Sequence, residues 1–196
     1  MASQLPPLPQ QIGIFDQFVA RQTETLILKE KILSLSGDSY EIRLANGQPL
    51  LNVVGKVLTI KGRKSVYDMG GRHLFDIRQE LLHLHPTYVL VDPQGNKIFT
   101  LRNRILVLGT RATAMFTTPA TGKMESLTMR GDFFDLAATI VDDSNGSVVA
   151  RIDRKLLNAR QLAFDQSSYA VVVAPGADMA IVAALCICLD DKETGA

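Results

Sequence analysis

Residues 169–191 read YAVVVAPGADMAIVAALCICLDD, and this most apolar stretch of the chain decides the fold. A helix that spans a bilayer needs about 20 consecutive apolar residues. Pro175 and Gly176 interrupt this stretch, and Asp178 would lie near the middle of the membrane at a cost of about 3 kcal/mol. The pattern therefore predicts a strand, a Pro-Gly turn and then a helix whose first N–H groups are capped by the Asp178 carboxylate.

The helix predicted after Asp178 runs from Met179 to Leu189 and is about 16 Å long. It is apolar on every face, and a helix without a polar stripe has to be surrounded by protein. A wide β-barrel provides such surroundings, because its inward side chains meet the helix where the lumen would otherwise hold water or ligand. The predicted core positions of the helix are Ile181, Val182, Leu185 and Ile187.

Four upstream segments repeat one pattern, in which a turn containing glycine separates two β-rich runs. They are YEIRLANGQPLLNVVG, KSVYDMGGRHLFDIRQ, TYVLVDPQGNKIFTLR and AATIVDDSNGSVVARI. Gly47, Gly71, Gly95 and Gly146 supply the positive φ values that tight hairpin loops require. The first three glycines are spaced 24 residues apart, which leaves room for two strands in each interval. This spacing predicts a regular antiparallel meander.

The strands alternate between apolar residues such as Tyr40, Ile42 and Leu44 and polar residues such as Glu41 and Arg43. Further β-rich runs, among them NRILVLGTR and ESLTMRGDFFDLAATIV, raise the number of strands. An open twisted sheet rarely carries so many strands. We therefore predict a mainly β (α+β) fold, an antiparallel closed barrel of about twelve strands that encloses a hydrophobic C-terminal helix.

One domain accounts for the patterned part of the chain. We place it at 15–191, after a flexible proline-rich tail at 1–14 and before a short tail at 192–196. The opening MASQLPPLPQQ lacks the basic region and the apolar run of a secretory signal, so we expect a cytoplasmic protein that can associate peripherally with a membrane. The net charge is +1 and there is no Trp, so we expect no nucleic-acid partner.

The end of the chain resembles the LURP-one-related family of the tubby C-terminal-like superfamily, to which phospholipid scramblases are also related. The matching features are the strand at 169–173, Pro175, Asp178, the apolar helix at 179–188 and the ending at 189–190. A second likeness lies in GRHLFDIRQELLHLHPTYVL, at Gly71, Leu74, Ile77, Arg78, Leu81, Leu82, Leu84, His85 and Tyr88. The resemblance covers residues 22–191.

This resemblance implies the same barrel threaded by its C-terminal helix, but it implies no settled biochemical activity. The tubby relatives bind phosphoinositides through basic side chains on the barrel wall. Their site does not align with this chain residue by residue. A lipid-binding role is therefore carried over only by analogy.

No arrangement of residues in the sequence indicates catalysis or a metal site. There is no G-x-S-x-G elbow and no complete phosphate-binding loop. Cys186 and Cys188 lie in the apolar helix, where we interpret them as buried thiols that act as small hydrophobic side chains. His83 and His85 share one face of a strand, but no third ligand follows at a suitable spacing. We therefore expect a non-enzymatic protein with no cofactor and no metal.

Basic residues are the remaining signal for a function. They form two candidate groups for phosphoinositide binding: Lys61, Arg63 and Lys64 in IKGRK, and Arg102 and Arg104 in LRNR. A third group lies at 151–155. Such residues are common on solvated faces and edge strands, but cations on a rigid wall also make charge-assisted hydrogen bonds to phosphates. A register shift of one residue would turn Lys61 and Arg63 to the other face.

Two functions remain open at the level of sequence. The first is a module that binds phosphoinositide or other anionic lipid headgroups at a membrane face. The second is a protein-interaction or regulatory barrel with no small-molecule ligand, which suits a filled lumen. Neither requires a transmembrane segment, and we predict none.

Overall fold

Over the residues that the structure describes, the fold is a closed barrel of twelve antiparallel strands with one α-helix. The computed structural model of the chain describes residues 4–31, 39–56, 63–80, 85–106, 109–132, 137–153 and 168–190. Each strand pairs with its neighbours in sequence, and the first strand pairs with the last to close the barrel. The strands are β1 Glu24–Lys31, β2 Ser39–Leu44, β3 Pro49–Lys56, β4 Arg63–Asp68, β5 His73–Glu80, β6 Thr87–Val91, β7 Lys97–Leu106, β8 Gly109–Thr118, β9 Lys123–Asp132, β10 Ala137–Asp142, β11 Val148–Asp153 and β12 Ser168–Val173. The predicted barrel is confirmed.

Tight turns join the strands at one end of the barrel, which we call the turn end; the opposite end, where β1 finishes, is the far end. Gly47 between β2 and β3 has φ +89°, and Gly95 between β6 and β7 has φ +92°. A side chain would make either conformation costly. All four glycines that the sequence places in hairpin turns have positive φ, which confirms the predicted meander.

The C-terminal helix α1, Met179–Asp190, fills the lumen. All side chains at 179–189 are buried, including the four predicted core positions, and they join the inward side chains of the strands in one continuous core. Oδ1 of Asp178 accepts the N–H groups of Ala180 at 2.8 Å and Ile181 at 3.4 Å. Both the buried helix and its predicted cap are confirmed.

The N-terminal segment, residues 4–23, lies across the turn end of the barrel. Leu5, Leu8 and Ile12 are buried and belong to the same core as α1. The prediction of a flexible tail over 1–14 is therefore wrong for the described part of that range. The prolines that suggest flexibility favour an extended chain instead, and the apolar residues between them cover the point where the helix enters the barrel.

Backbone hydrogen bonds tie this segment to the turn that precedes α1. The N–H of Leu8 donates to the carbonyl of Pro175, and that of Ile12 donates to the carbonyl of Gly176, each at 2.9 Å. The N–H of Asp178 donates in return to the carbonyl of Ile12 at 2.9 Å. These bonds satisfy backbone polar groups that burial removes from water.

One carboxylate joins the N-terminal segment to the helix. While Oδ1 of Asp178 caps α1, its Oδ2 accepts the N–H groups of Ile14 at 2.9 Å and Phe15 at 2.8 Å. Gly13 is needed because a Cβ at this position would lie 2.1 Å from the Cβ of Asp178. Burial raises the pKa of Asp178 to about 6, against the lowering effect of these hydrogen bonds, so the side chain is mostly ionised at neutral pH.

We expect Asp178→Ala to lower the free energy of unfolding by at least about 3 kcal/mol, because several buried N–H groups lose their acceptor. Asp178→Asn keeps one acceptor oxygen, so its stability should fall between those of wild type and Asp178→Ala. Urea unfolding followed by circular dichroism measures these values. Asp143→Ala is the matched control, because that carboxylate is exposed and accepts two hydroxyl hydrogen bonds. An equal loss for Asp178→Ala and the control would contradict this prediction.

Candidate functional site

Strand alternation decides which of the predicted basic residues reach the outer surface. Arg63 and Lys64 open β4, whereas Lys61 lies outside the described residues. Lys64 pairs with Gly55 on one side and with the core residue Ile77 on the other, and it is 2% exposed. The prediction that Lys64 binds a headgroup is therefore wrong, because alternation turns this side chain toward the lumen.

Arg63 lies on the outer wall, in a network around the buried carboxylate of Asp76. Arg63 and Arg78 both donate to Oδ2 of Asp76, the latter at 3.1 Å. Oδ1 accepts the Ser65 hydroxyl at 2.7 Å and lies 3.2 Å from Nε2 of His73. Burial by itself raises the pKa of Asp76, but the hydrogen bonds of its two arginines and of Ser65 hold it at about 2. The positive charge of Arg63 is thus compensated by Asp76 within the barrel wall.

A second basic group lies on the outer wall of β7 and β8. In the backbone register, Arg104 of β7 pairs with Arg111 of β8, and Arg102 precedes Arg104 by two residues on β7. Asn103, between the two arginines of β7, is fully buried, while Arg102 and Arg111 are exposed. Two strands, β5 and β6, separate this group from Arg63. The two groups predicted from the sequence therefore do not form one site.

The second group continues across the next three strands. Because Ala112 pairs with Met129, Arg111 and Arg130 lie side by side on the outer faces of β8 and β9. Thr139 of β10 pairs with Arg130 of β9 on one side and with Arg151 of β11 on the other. We call the four positions of this line the arginine row: Arg104, Arg111, Arg130 and Arg151.

Within the described ranges, the arginines at the centre of this surface differ from other exposed arginines in their ion pairing. Arg102, Arg111 and Arg130 make no ion pair with any residue in the described ranges. By contrast, the exposed Arg43 and Arg72 each pair with a carboxylate of their own hairpin. Like charges directly across a sheet destabilise it. Because Arg111 and Arg130 make no ion pair within the described ranges, their guanidinium donors are available for an anion. The planar guanidinium group of arginine matches the geometry of phosphate.

An acidic side chain marks one border of this surface. Oδ2 of Asp143 accepts the hydroxyls of Ser126 at 2.7 Å and Thr128 at 2.8 Å. Both hydroxyls belong to the outer side of β9, between Arg130 and the turn end. The negative charge of Asp143 therefore confines the anion-binding part of the wall to its half nearer the far end.

The sequence analysis misses Arg111 and Arg130 because it misses two reversals of the chain. The pattern predicts NRILVLGTR as one β-rich run, but the structure ends β7 at Leu106 and begins β8 at Gly109. ESLTMRGDFFDLAATIV likewise divides between β9 and β10. Neither junction carries the Asn-Gly or Pro signature of a turn. Arg104 lies two residues before Leu106 and Arg111 two residues after Gly109, so the hairpin that pairs Leu106 with Gly109 also pairs the two arginines.

Metal and membrane signals add nothing to this surface. Among the described residues, no group of three His, Cys, Asp or Glu side chains is placed to hold a metal ion. His85 is exposed, His83 lies outside the described ranges, and Cys186 and Cys188 are buried in α1 as predicted. Over the same part of the chain, no helix has the length and apolar character needed to cross a bilayer.

The fold defines a class of protein, a closed antiparallel barrel whose lumen is filled by the helix that follows its last strand. A family model described as LURP-one-related matches residues 24–190. The chain therefore belongs to the LURP-one-related family, which confirms the resemblance found in its sequence.

Relatives of this chain occur in Arabidopsis thaliana. Protein LURP-one-related 15 is 21% identical over 192 residues, which cover 94% of this chain and 88% of the relative. Protein LURP-one-related 10 is 19% identical over 180 residues, which cover 89% of this chain and 92% of the relative. An X-ray structure of an Arabidopsis thaliana protein is similar with a TM-score of 0.43 and 16% identity, over 93% of this chain and 99% of that one.

Acid should destabilise wild type more than Asp76→Asn. The pKa of Asp76 is about 2 in the folded protein and 3.8 in an unperturbed carboxyl. Its stabilising contribution is therefore complete above about pH 4 and is lost as the pH falls toward 2, a difference of about 2 kcal/mol. Urea unfolding at several pH values measures this excess loss. Equal acid sensitivity of the two proteins would show that Asp76 is not held ionised by its arginines.

Removing one charge from the arginine row should stabilise the barrel. We expect Arg111→Thr to raise the free energy of unfolding by about 0.5 kcal/mol at low salt, because a like-charge cross-strand pair is relieved and Thr suits a strand. The gain should shrink at high salt, where the repulsion is screened. Arg43→Thr is the control and should bring no gain, because Arg43 is paired with Glu41. Lower stability of Arg111→Thr than of wild type would refute the electrostatic argument.

Proposed function

We propose that this protein is a non-enzymatic binding module that recognises the phosphate groups of anionic lipid headgroups, phosphoinositides among them, at a membrane face. The observation that carries the proposal is the adjacency of Arg104, Arg111 and Arg130 on three neighbouring strands. Arg111 and Arg130 have no ion pair within the described ranges. The binding surface is therefore the part of the arginine row on β7 to β9, flanked by Arg102.

The rigidity of the wall supports recognition of phosphate. Neighbouring strands are about 4.8 Å apart, so adjacent guanidinium groups can contact oxygens of one headgroup or of neighbouring headgroups. Cations fixed on strands lose less freedom on binding than cations on a loop. A local group of this kind is also sufficient for a protein whose net charge is only +1.

The filled lumen supports a ligand on the outer wall. Wide barrels with an open interior bind small molecules inside. Here α1 occupies that space, and its side chains at 179–189 are buried against the strands. The analogy with the phosphoinositide-binding tubby relatives supports the same class of ligand, although their basic site does not align with the arginine row.

The test is co-sedimentation of the purified protein with vesicles. The vesicles contain phosphatidylcholine alone, or phosphatidylcholine with phosphatidylserine, or phosphatidylcholine with a phosphoinositide. Wild type should bind both anionic vesicles in a salt-sensitive manner. The double variant Arg111→Gln, Arg130→Gln should bind about 30-fold more weakly, because each cation near an anionic surface contributes about 1 kcal/mol.

The control removes two arginines that lie elsewhere on the barrel. Arg43→Gln, Arg72→Gln changes the net charge equally but leaves the arginine row intact. Its vesicle binding should stay within about twofold of wild type, because charges beyond the contact surface are screened by salt. Failure of wild type to bind any anionic vesicle overturns the proposal. Equal losses in the two double variants overturn the assignment to the arginine row.

A further inference from the structure

Exposed methionines lie on the same wall as the arginine row. The large apolar side chains that are exposed within the described ranges are Met69, Met115 and Met124. Met115 is on β8, where it pairs with Ser126, and its exposed fraction is 44%. Met124 is on β9, where it pairs with Thr117, and its exposed fraction is 68%. Two of the three thus occupy adjacent rows of the outer face of β8 and β9.

The strands that carry these methionines also carry the centre of the arginine row. Met115 follows Arg111 by four residues along β8, which is about 14 Å. Met124 precedes Arg130 by six residues along β9, which is about 20 Å. All four residues share the outer face, because strand alternation places them at even intervals. One face of two neighbouring strands therefore carries arginines toward the far end and, toward the turn end, two exposed methionines whose cross-strand neighbours are Ser126 and Thr117.

The shape of the barrel suits contact between this face and a flat surface. A barrel wall curves strongly across its strands and much less along them. Twelve strands share the circumference, so β8 and β9 turn through a small part of it, whereas the whole arginine row from β7 to β11 covers about a third. A plane that touches Arg111 and Arg130 can therefore also touch Met115 and Met124, while Arg151 faces away.

We infer that the outer face of β8 and β9 lies flat against an anionic bilayer, with Met115 and Met124 inserted among the headgroups and Arg111 and Arg130 on the phosphates. This inference rests on the proposed function and gives it an orientation. The occupant is a membrane because the same face pairs cations with apolar side chains, a combination that binds the interface of anionic bilayers. Methionine suits this role, because its unbranched thioether adapts to an irregular surface.

The carboxylate of Asp143 lies over the β9 part of this face, between Met124 and Arg130 along the strand. It is held by Ser126 and Thr128 and reaches β9 from the chain that follows β10. A bilayer repels this charge, so the protein has to tilt toward β8 and away from β10. Met115 should then insert together with Met124, and Arg111 should contribute more than Arg151.

The absence of Trp from the sequence makes insertion directly measurable, because a single introduced Trp is the only one in the chain. We would make Met115→Trp, Met124→Trp and, as a matched control, Met69→Trp, whose position in the turn between β4 and β5 is 55% exposed but off this face. With vesicles of phosphatidylcholine, phosphatidylserine and a phosphoinositide, emission from positions 115 and 124 should shift to shorter wavelength. Lipids brominated on their acyl chains should quench it. Emission from position 69 should not change.

A second variant separates insertion from charge recognition. Met115→Ser, Met124→Ser should bind these vesicles about tenfold more weakly, because part of two apolar side chains no longer leaves water. Its salt sensitivity should match that of wild type, because Arg111 and Arg130 are unchanged. Binding of a soluble inositol polyphosphate, which offers phosphate without a bilayer, should also match that of wild type.

The outcomes distinguish the inference from the function on which it rests. Vesicle binding that requires Arg111 and Arg130 while Trp at 115 and 124 stays in water overturns the inference and leaves the proposed function standing. Lack of vesicle binding by wild type overturns both. A blue shift that appears without vesicles and grows with protein concentration assigns the methionines to an interface between copies of the chain, and this also overturns the inference.

Discussion

The carboxylate of Asp178 holds together two parts of the chain that are more than 160 residues apart in sequence. One oxygen receives the first N–H groups of α1, and the other receives N–H groups of the N-terminal segment. An ionised side chain is stable in this buried place because backbone donors replace the water that it loses. If the N-terminal segment left the turn end, the Asp178 carboxylate would lose the donors of Ile14 and Phe15. Closure of that end and insertion of the helix therefore stabilise each other.

Because α1 fills the lumen, only the outer wall is left to bind a ligand. The basic residues of this wall are of two kinds. On β4 and β5, Asp76 compensates Arg63 and Arg78, so these charges belong to the wall itself. On β7 to β9, Arg104 and Arg111 occupy paired positions of the backbone, and Arg130 occupies the next position in line. Such an arrangement has an electrostatic cost that stability alone does not explain. Tolerated costs of this kind are a common mark of function.

Most of the fold follows from local features of the sequence, whereas the site follows from pairing that the sequence leaves implicit. Glycine turns and the apolar helix with its Asp cap depend on backbone conformation and solvation within a few residues, so they were predictable. The burial of Leu5 and Leu8 was not, because it depends on an apolar surface formed by the opposite end of the chain. Lys64 was misplaced because a single step along a strand exchanges lumen for solvent. Arg111 was missed because residues 107–108 lack a turn signature.

The position of α1 after β12 has a consequence for biosynthesis. As the chain leaves the ribosome, β1 to β11 emerge before the strand that pairs with β1 and before the helix that occupies the interior. Until then, any sheet formed by β1 to β11 would have two unpaired edges and an apolar inner face that no helix covers, which are features that chaperones bind. The barrel can therefore close only after β12 has been synthesised, and its lumen can be filled only after α1 has followed. A chain that ends within β12 or α1 lacks the strand that closes the barrel or the helix that fills its lumen, so we expect it to aggregate and not to form a smaller stable domain.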